Sequence, residues 1–329
     1  MTLTVHILEL PHGHSVEELQ PLLSPDIRLS AGPDVPADCA ILVAGHLQRE
    51  QLQASTALRA LVVPWAGVPE PTRNLLLDFP RIAVHNIHHN ALPVAEMAVT
   101  LMLAAAKFIV PADRTFREND WSPRFERPDP AVLFHDKTAL ILGYGAIGSL
   151  VARMCRGLGL HVRAIRRHLP AAQAGKEVEQ DITLYPPDAL HDLLPGADFL
   201  LICAPLTPET RGMIGERELA LMPEHAVLVN VSRAEIVDEA ALYHALKDGK
   251  LYAAGMDVWY RNPGGEGEAS GLAPSAYPFH ELRNVVISPH RAGHAPEAEQ
   301  MRMGYLAELL NRAARGAPMP NRVDLQAGY

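Results

Sequence analysis

The stretch ILGYGAIGSLVARMCRGLGLHVRAIRRH, residues 141–168, decides how this chain folds. An apolar, strand-like run from Thr138 to Leu142 leads directly into Gly143-Tyr144-Gly145-Ala146-Ile147-Gly148. Ile147, Leu150, Val151, Met154, Cys155 and Leu158 then recur at i, i+3 and i+4 spacing, which predicts a helix that opens inside the glycine motif. A second strand follows at HVRAIRR, residues 161–167. Strand, glycine turn, helix and strand in this order form a dinucleotide-binding unit. The glycines allow a tight turn and close backbone approach, and the helix start offers free amides and a positive dipole end to a pyrophosphate. The second strand of an NAD site usually ends near a carboxylate that holds the ribose hydroxyls. Here that place holds Arg166 and Arg167. Guanidinium groups make charge-assisted bonds to a 2′-phosphate that a carboxylate would repel, so the expected cofactor is NADP, with NAD as the alternative.

Outward from this motif, strands alternate with helical spacing in both directions, which predicts an α/β protein with mostly parallel sheets. Before it come TVHILEL, CAILVAG, LRALVVPW and IAVHNI, with helical segments at residues 15–23 and 47–58. A long apolar helix is expected at residues 94–110, stopping at Pro111, followed by an arm rich in proline and charge up to Lys137. Six strand-like runs then build the doubly wound domain: TALILG, VRAIRR, DFLLICAP, AVLVNVS, YAAGMDV and NVVISPH. The last helix, residues 298–314, follows this series and is free to return to the first unit. A Gly/Pro-rich segment, residues 262–279, reads as a functional loop.

Composition narrows the function classes. The 329 residues carry 29 Lys and Arg against 38 Asp and Glu, a formal charge of −9, which argues against a nucleic-acid surface. Cys39, Cys155 and Cys203 lie far apart without ligand-like spacing, as in a reducing compartment. The start MTLTVHILEL reads as a strand rather than a leader, and the run at 94–110 is broken by Glu96 and Lys107. A cytoplasmic protein without a membrane span is expected.

The chemistry is expected where strands end. Arg233 follows the strand AVLVNVS, and a lone arginine beside a buried strand needs an anionic partner. Asp257 and Asn262 follow YAAGMDV, and His290 follows NVVISPH. Ligands of doubly wound sheets bind outside the carboxyl ends of the strands, so these residues converge on the mouth of the crevice. An arginine that clamps a carboxylate and a histidine that moves a proton suit hydride transfer to or from a 2-hydroxy acid.

The ordered segments NALPVAE, GYGAIG, CAPLTPETRGMIG, LVNVSRAEIVDE, AAGMDVW and ISPHRAG resemble the signatures of the D-isomer-specific 2-hydroxyacid dehydrogenase family over nearly the whole chain. The resemblance implies a Rossmann-type domain at residues 96–295 and a flavodoxin-like substrate domain built from residues 1–95 and 296–329, usually in a homodimer. It implies that the amides of Ala66 and Gly67 and the Arg233 side chain hold the substrate carboxylate, that Asn90 lines the same cleft, and that His290 is the acid/base. Asp257 would hold the nicotinamide carboxamide, and Pro205, Thr207, Thr210 and Val231 would line the cofactor groove. The substrate would be a small 2-oxo or 2-hydroxy acid.

Two positions depart from the family. Ala234 stands where glycine follows the arginine, so a positive φ there would strain the loop. Asn262 stands where a glutamate holds the histidine. A neutral amide can orient the imidazole but gives no charge support, so the upward pKa shift should be lost. Glu266, Glu268 or Glu281 are candidates to replace it. Two other readings stay open: a formate-dehydrogenase-like hydride transfer without a proton, and a dinucleotide-sensing corepressor. In HNIHHN, His85, His88 and His89 have no acidic or cysteine companion, so no metal site is expected. Trp121, Arg114, Arg117 and Arg124 of the arm read as packing and solvated charge near a dimer interface.

Overall fold

The computed structural model describes residues 2–11, 13–126, 131–179, 181–263 and 270–327. The chain divides into two compact units, Met1–Asn90 with His294–Tyr329, and Ala91–Gly293.

The first unit is a parallel sheet of β1 (Leu3–Ile7), β2 (Ile27–Ala31), β3 (Ile41–Val43), β4 (Ala60–Val63) and β5 (Ala83–Asn86), in the flavodoxin-like order β2-β1-β3-β4-β5. β2, the edge strand IRLSA, was not among the expected strands. It is half-exposed and polar at alternate positions, so it lacks the apolar run that marks its neighbours. Both sheet faces are covered. Val5, Ile7, Val43 and Val62 pack with Leu306, Leu309 and Leu310 of the helix Pro296–Ala314. Leu42, Leu61, Val63 and Val84 pack with Leu52 and Leu76 on the other face. A fully buried leucine of this kind stabilises by about 2 kcal/mol.

Among the described residues the second unit holds eight strands rather than six: β6 (Thr138–Leu142), β7 (His161–Ile165), β8 (Lys176–Glu179), β9 (Ile182–Tyr185), β10 (Phe199–Ile202), β11 (Val227–Asn230), β12 (Ala253–Met256) and β13 (Val285–Ile287). Their order is β13-β12-β11-β10-β6-β7-β9-β8. All pairs are parallel except β8 with β9, which is antiparallel with an irregularity at Glu177 and Glu179. Exposed β8 carries charge in place of apolar residues, and β9 alternates buried Ile182 and Leu184 over only four residues, too short a run to mark a strand by pattern.

The apolar helix spans Ala91–Ala106 and buries Val94, Ala98, Leu101, Met102 and Ala105 against Ile141 and Val229 of the sheet. It ends earlier than expected. Phe108 adopts φ 48° and turns the chain into a second helix, Ile109–Arg117. Pro111 lies in the first turn of that helix, where its missing N–H has no partner to lose. No single helix among the described residues is long and apolar enough to cross a membrane.

Candidate active site

The glycine motif turns out of β6 as its sequence requires. Gly143 has φ 101°, and a Cβ there would stand 2.6 Å from the Ala204 backbone nitrogen. At Gly148 a Cβ would lie 1.9 Å from the Gly143 carbonyl oxygen, so the helix Ala146–Gly157 approaches the turn closely only because Gly148 lacks a side chain. Gly145 caps that helix, and Ser149 N–H makes the first bond back to its carbonyl at 3.0 Å. The amides of Ala146, Ile147 and Gly148 precede this bond, and Gly145 and Ala146 are exposed. Such a cradle suits a pyrophosphate. Val231 is buried after β11. After β10, Thr210 Oγ1 donates to Pro205 O at 2.7 Å and accepts from Thr207 N–H at 2.8 Å, closing a rigid turn beside the motif.

Arg166 and Arg167 are exposed at the end of β7. Arg167 Nη2 lies 3.6 Å from Glu209 of the turn after β10, which draws a carboxylate toward the place where β7 itself carries none. The Glu209 carboxyl is held below its usual range, chiefly by the Thr207 hydroxyl that donates to it at 2.7 Å.

β11, β12 and β13 are neighbours, and each ends in one candidate residue. Past β11, fully buried Asn230 builds the turn: its Nδ2 donates to Arg233 O at 2.9 Å, and its Oδ1 accepts from Ser232 N–H at 3.0 Å. Ser232 Oγ donates to Ala204 O. This turn presents Arg233 outward. The arginine is exposed and donates to Ser232 O at 2.8 Å, so its placement does not depend on a buried anionic partner. Ala234 starts a short 3-10 turn, Ala234–Ile236, and is not among the residues with positive φ, so alanine brings no strain.

Past β12, Asp257 is 0% exposed. Its two carboxylate oxygens accept from Arg291 N–H at 3.0 Å and Ala292 N–H at 2.8 Å. Both bonds fix the turn that follows His290, which is exposed and stands in the left-handed region at φ 55°. Trp259 Nε1 donates to Ser288 O at 2.8 Å and ties down the other side of the same turn. Asn262 is exposed, and its Nδ2 donates to Trp259 O at 3.0 Å. Glu281 is exposed in a short 3-10 turn, 3.9 Å from His280. Glu266 and Glu268 lie outside the described residues.

Ala66, Gly67 and Asn90 belong to the first unit. Beyond β4, three successive carbonyl oxygens are taken. Pro64 O accepts from Arg302 Nη1 at 3.0 Å, Trp65 O from Ile87 N–H at 3.4 Å, and Ala66 O from Asn86 Nδ2 at 2.6 Å. The amides of Ala66 and Gly67 donate to no acceptor among the described residues. Asn90 is half-buried just before the helix Ala91–Ala106.

Residues 99–292, more than half of the chain, match the family model described as D-isomer specific 2-hydroxyacid dehydrogenase, NAD binding domain. The chain belongs to this family. Its unit Ala91–Gly293 is a nicotinamide-dinucleotide-binding domain. The chain is 29% identical over 291 residues to D-3-phosphoglycerate dehydrogenase of Methanocaldococcus jannaschii, covering 88% of this chain and 52% of that protein. It is 36% identical over 237 residues to glyoxylate reductase of Korarchaeum cryptofilum, covering 70% and 65% respectively. It thus spans about half to two thirds of the length of these relatives. A D-isomer specific 2-hydroxyacid dehydrogenase from Xanthobacter autotrophicus Py2, solved with NADPH and MES, has the same fold, with a TM-score of 0.76, 23% identity, and coverage of 100% of this chain and 99% of that one.

Within this family frame, sequence reading missed the residues that build the turns. Asn230, Asn86 and Arg302 are polar groups that aim others, and Glu209 arrives from a separate turn. A buried asparagine at a strand end, as in VLVN and AVHN, is the signal that could have revealed two of them.

Proposed function

We propose that the chain is an NADP(H)-dependent 2-hydroxyacid dehydrogenase, reducing small 2-oxo acids to D-2-hydroxy acids or running the reverse reaction. One observation carries this reading: the ends of three adjacent strands hold an outward arginine, a buried carboxylate that fixes a turn, and the exposed histidine of that turn. When bound, the dinucleotide supplies or accepts the hydride. For the carboxylate of the organic acid, Arg233 of the second unit supplies a guanidinium, and the first unit supplies the amides of Ala66 and Gly67 and the side chain of Asn90. His290 gives a proton to the carbonyl oxygen as it becomes a hydroxyl, or takes it in the oxidative direction. Asn262 acts from the turn through Trp259, whose indole bonds the His290 turn.

The residues present suit a dinucleotide, because glycine at 148 lets the helix start pack against the Gly143 carbonyl and Gly145 leaves open space beside the free amides. Arg166 and Arg167 favour the 2′-phosphate. Asp257 belongs with the cofactor only in part, since both its oxygens already serve the His290 turn. We also assign a homodimer, supported by the exposed apolar side chains of Phe116, Trp121, Phe125 and Leu133 along the arm. The three thiols are free, with burial pushing those of Cys39 and Cys155 up to about 11 and about 12, which suits a reducing cytoplasm.

The test is a panel of 2-oxo acids with NADPH and NADH. Steady NADPH oxidation with at least one acid supports the enzyme. Tight cofactor binding without turnover on any acid supports a sensor instead.

A further inference from the structure

The helix Pro296–Ala314 belongs to the first unit, and one charged side chain of that helix reaches the candidate carboxylate loop. Arg302 is 12% exposed and spends its guanidinium on three acceptors. Nε and Nη2 grip the two oxygens of Glu299 at 2.8 and 2.7 Å, and Nη1 donates to Pro64 O at 3.0 Å. The far side of Glu299 meets His14 Nε2 at 3.4 Å and His89 Nε2 at 3.7 Å. His89 comes from the HNIHHN motif, and its Nδ1 is buried without a partner among the described residues. Asn86 of the same motif is 6% exposed and donates to Ala66 O.

A half-buried ion pair is a poor way to glue a helix to a sheet, because desolvation offsets most of its attraction. A planar guanidinium fork held on both teeth is, however, a good way to fix a direction. Direction matters here because a trans peptide unit is rigid, so its C=O and N–H point opposite ways. Fixing Pro64 O aims the Trp65 N–H, fixing Trp65 O aims the Ala66 N–H, and fixing Ala66 O aims the Gly67 N–H. The three acceptors therefore set three consecutive donors.

We propose that Arg302, held by Glu299, and Asn86 are positioning residues that aim the amides of residues 65–67 at the carboxylate of the organic acid. The proposal rests on the reading of this loop as the carboxylate site. Neither side chain touches the acid. Each acts through a peptide plane, Arg302 at the entry of the loop and Asn86 at its exit.

The experiment compares Arg302→Met, Arg302→Lys and Asn86→Asp in the full chain, with Met303→Ala as a control. Met303 is buried in the same helix but makes none of these bonds. Asn86→Asp keeps the shape and sets oxygen against the Ala66 carbonyl. Glyoxylate is the substrate probe, cofactor affinity is read by NADPH fluorescence, and backbone hydrogen exchange is followed over residues 62–69. In Arg302→Met and Asn86→Asp, the KM for glyoxylate should rise about tenfold, the loss of one well-aimed donor. NADPH affinity should stay within twofold, and exchange over residues 62–69 should accelerate. Arg302→Lys should fall between, because one ammonium cannot hold Glu299 on two teeth and reach Pro64. Met303→Ala should lower thermal stability without moving KM. An unchanged KM in both principal variants of an active enzyme overturns the proposal, as does an equal KM rise in Met303→Ala. If the wild-type chain turns over no 2-oxo acid, the functional reading falls separately. Exchange then decides, with an unaltered rate over residues 62–69 overturning the positioning role.

Discussion

Two loops leave the carboxyl ends of parallel strands in this molecule, and they are built in opposite ways. The turn at residues 143–148 is made by missing side chains: Gly148 packs on the Gly143 carbonyl within the motif, and Gly143 closes on the Ala204 backbone of the adjoining turn. The loop at residues 64–67 is held from afar, by Asn86, Ile87 and Arg302. Such a turn is encoded by what its residues lack. A remote-held loop is encoded by what distant residues supply. The first is brittle to small additions at one place, and the second to losses at several places.

The comparison is sharpest where chemistry depends on it. His290 is the acid/base of the proposed reaction, so His290→Ala should lower kcat by about a hundredfold or more in a 2-oxo acid assay, with cofactor affinity kept. Arg233→Ala should raise KM as well as lower kcat, because its charge pair exists before and during reaction. Near-wild-type turnover in either variant would remove these residues from the mechanism.

Gly148→Ala tests the brittle loop. The added carbon meets backbone, which cannot rotate away, so a cost of about 3 kcal/mol is expected. That corresponds to roughly a hundredfold loss of NADPH affinity, read by fluorescence titration. Retained affinity would show that the motif relaxes and is less brittle than its contacts imply.

Replacing both Arg166 and Arg167 by Gln should weaken NADPH by about tenfold or more while leaving NADH nearly unchanged. Glu209→Gln should act the other way. It frees Arg167 of a partly exposed partner worth well under 1 kcal/mol, so a gain of about twofold for NADPH is expected. Equal effects on the two cofactors would refute the 2′-phosphate assignment.

The smallest effect on catalysis, though not on stability, concerns His89. Burial is the main cause that pushes its pKa down to about 4, with the Arg302 charge next. Burial also lowers His85 and His88. An unfolded imidazole titrates near about 6.5, so below that pH the unfolded chain takes up a proton that folded His89 refuses. The stability from neutral His89 is therefore complete above about pH 6.5 and is lost as the pH falls toward 4. His89→Gln should flatten this part of the stability profile measured by denaturant titration, by a few kcal/mol at most. An unchanged acid limb would mean that His89 charges without unfolding the first unit.

The contrast also explains what could be read in advance. The βαβ motif, the mostly parallel sheets and the residues at the ends of β11, β12 and β13 were legible, because each rests on local pattern or on the rule for strand ends. β2 and β8 were not, since these edge strands bury too little to show a hydrophobic pattern, and β9 was not because its alternation covers only the four residues Ile182–Tyr185. The helix break at Phe108 was misplaced to Pro111 because proline is the commoner signal, whereas a non-glycine residue at φ 48° leaves none. The Arg302 bond to Pro64 joins residues 238 positions apart, and no spacing rule connects them.

The helix Pro296–Ala314 has one more consequence, for synthesis. It seals a face of the first sheet, yet residues 91–293 stand between it and that sheet in the order of translation. A ribosome adding roughly 5–20 residues per second needs roughly ten to forty seconds to cross that insert. During that interval the nucleotide-binding unit is finished, while Val5, Ile7, Val43 and Val62 of the earlier unit still lack their cover. The nascent chain therefore completes its middle before its beginning, and its amino-terminal sheet is the part most in need of chaperone shelter.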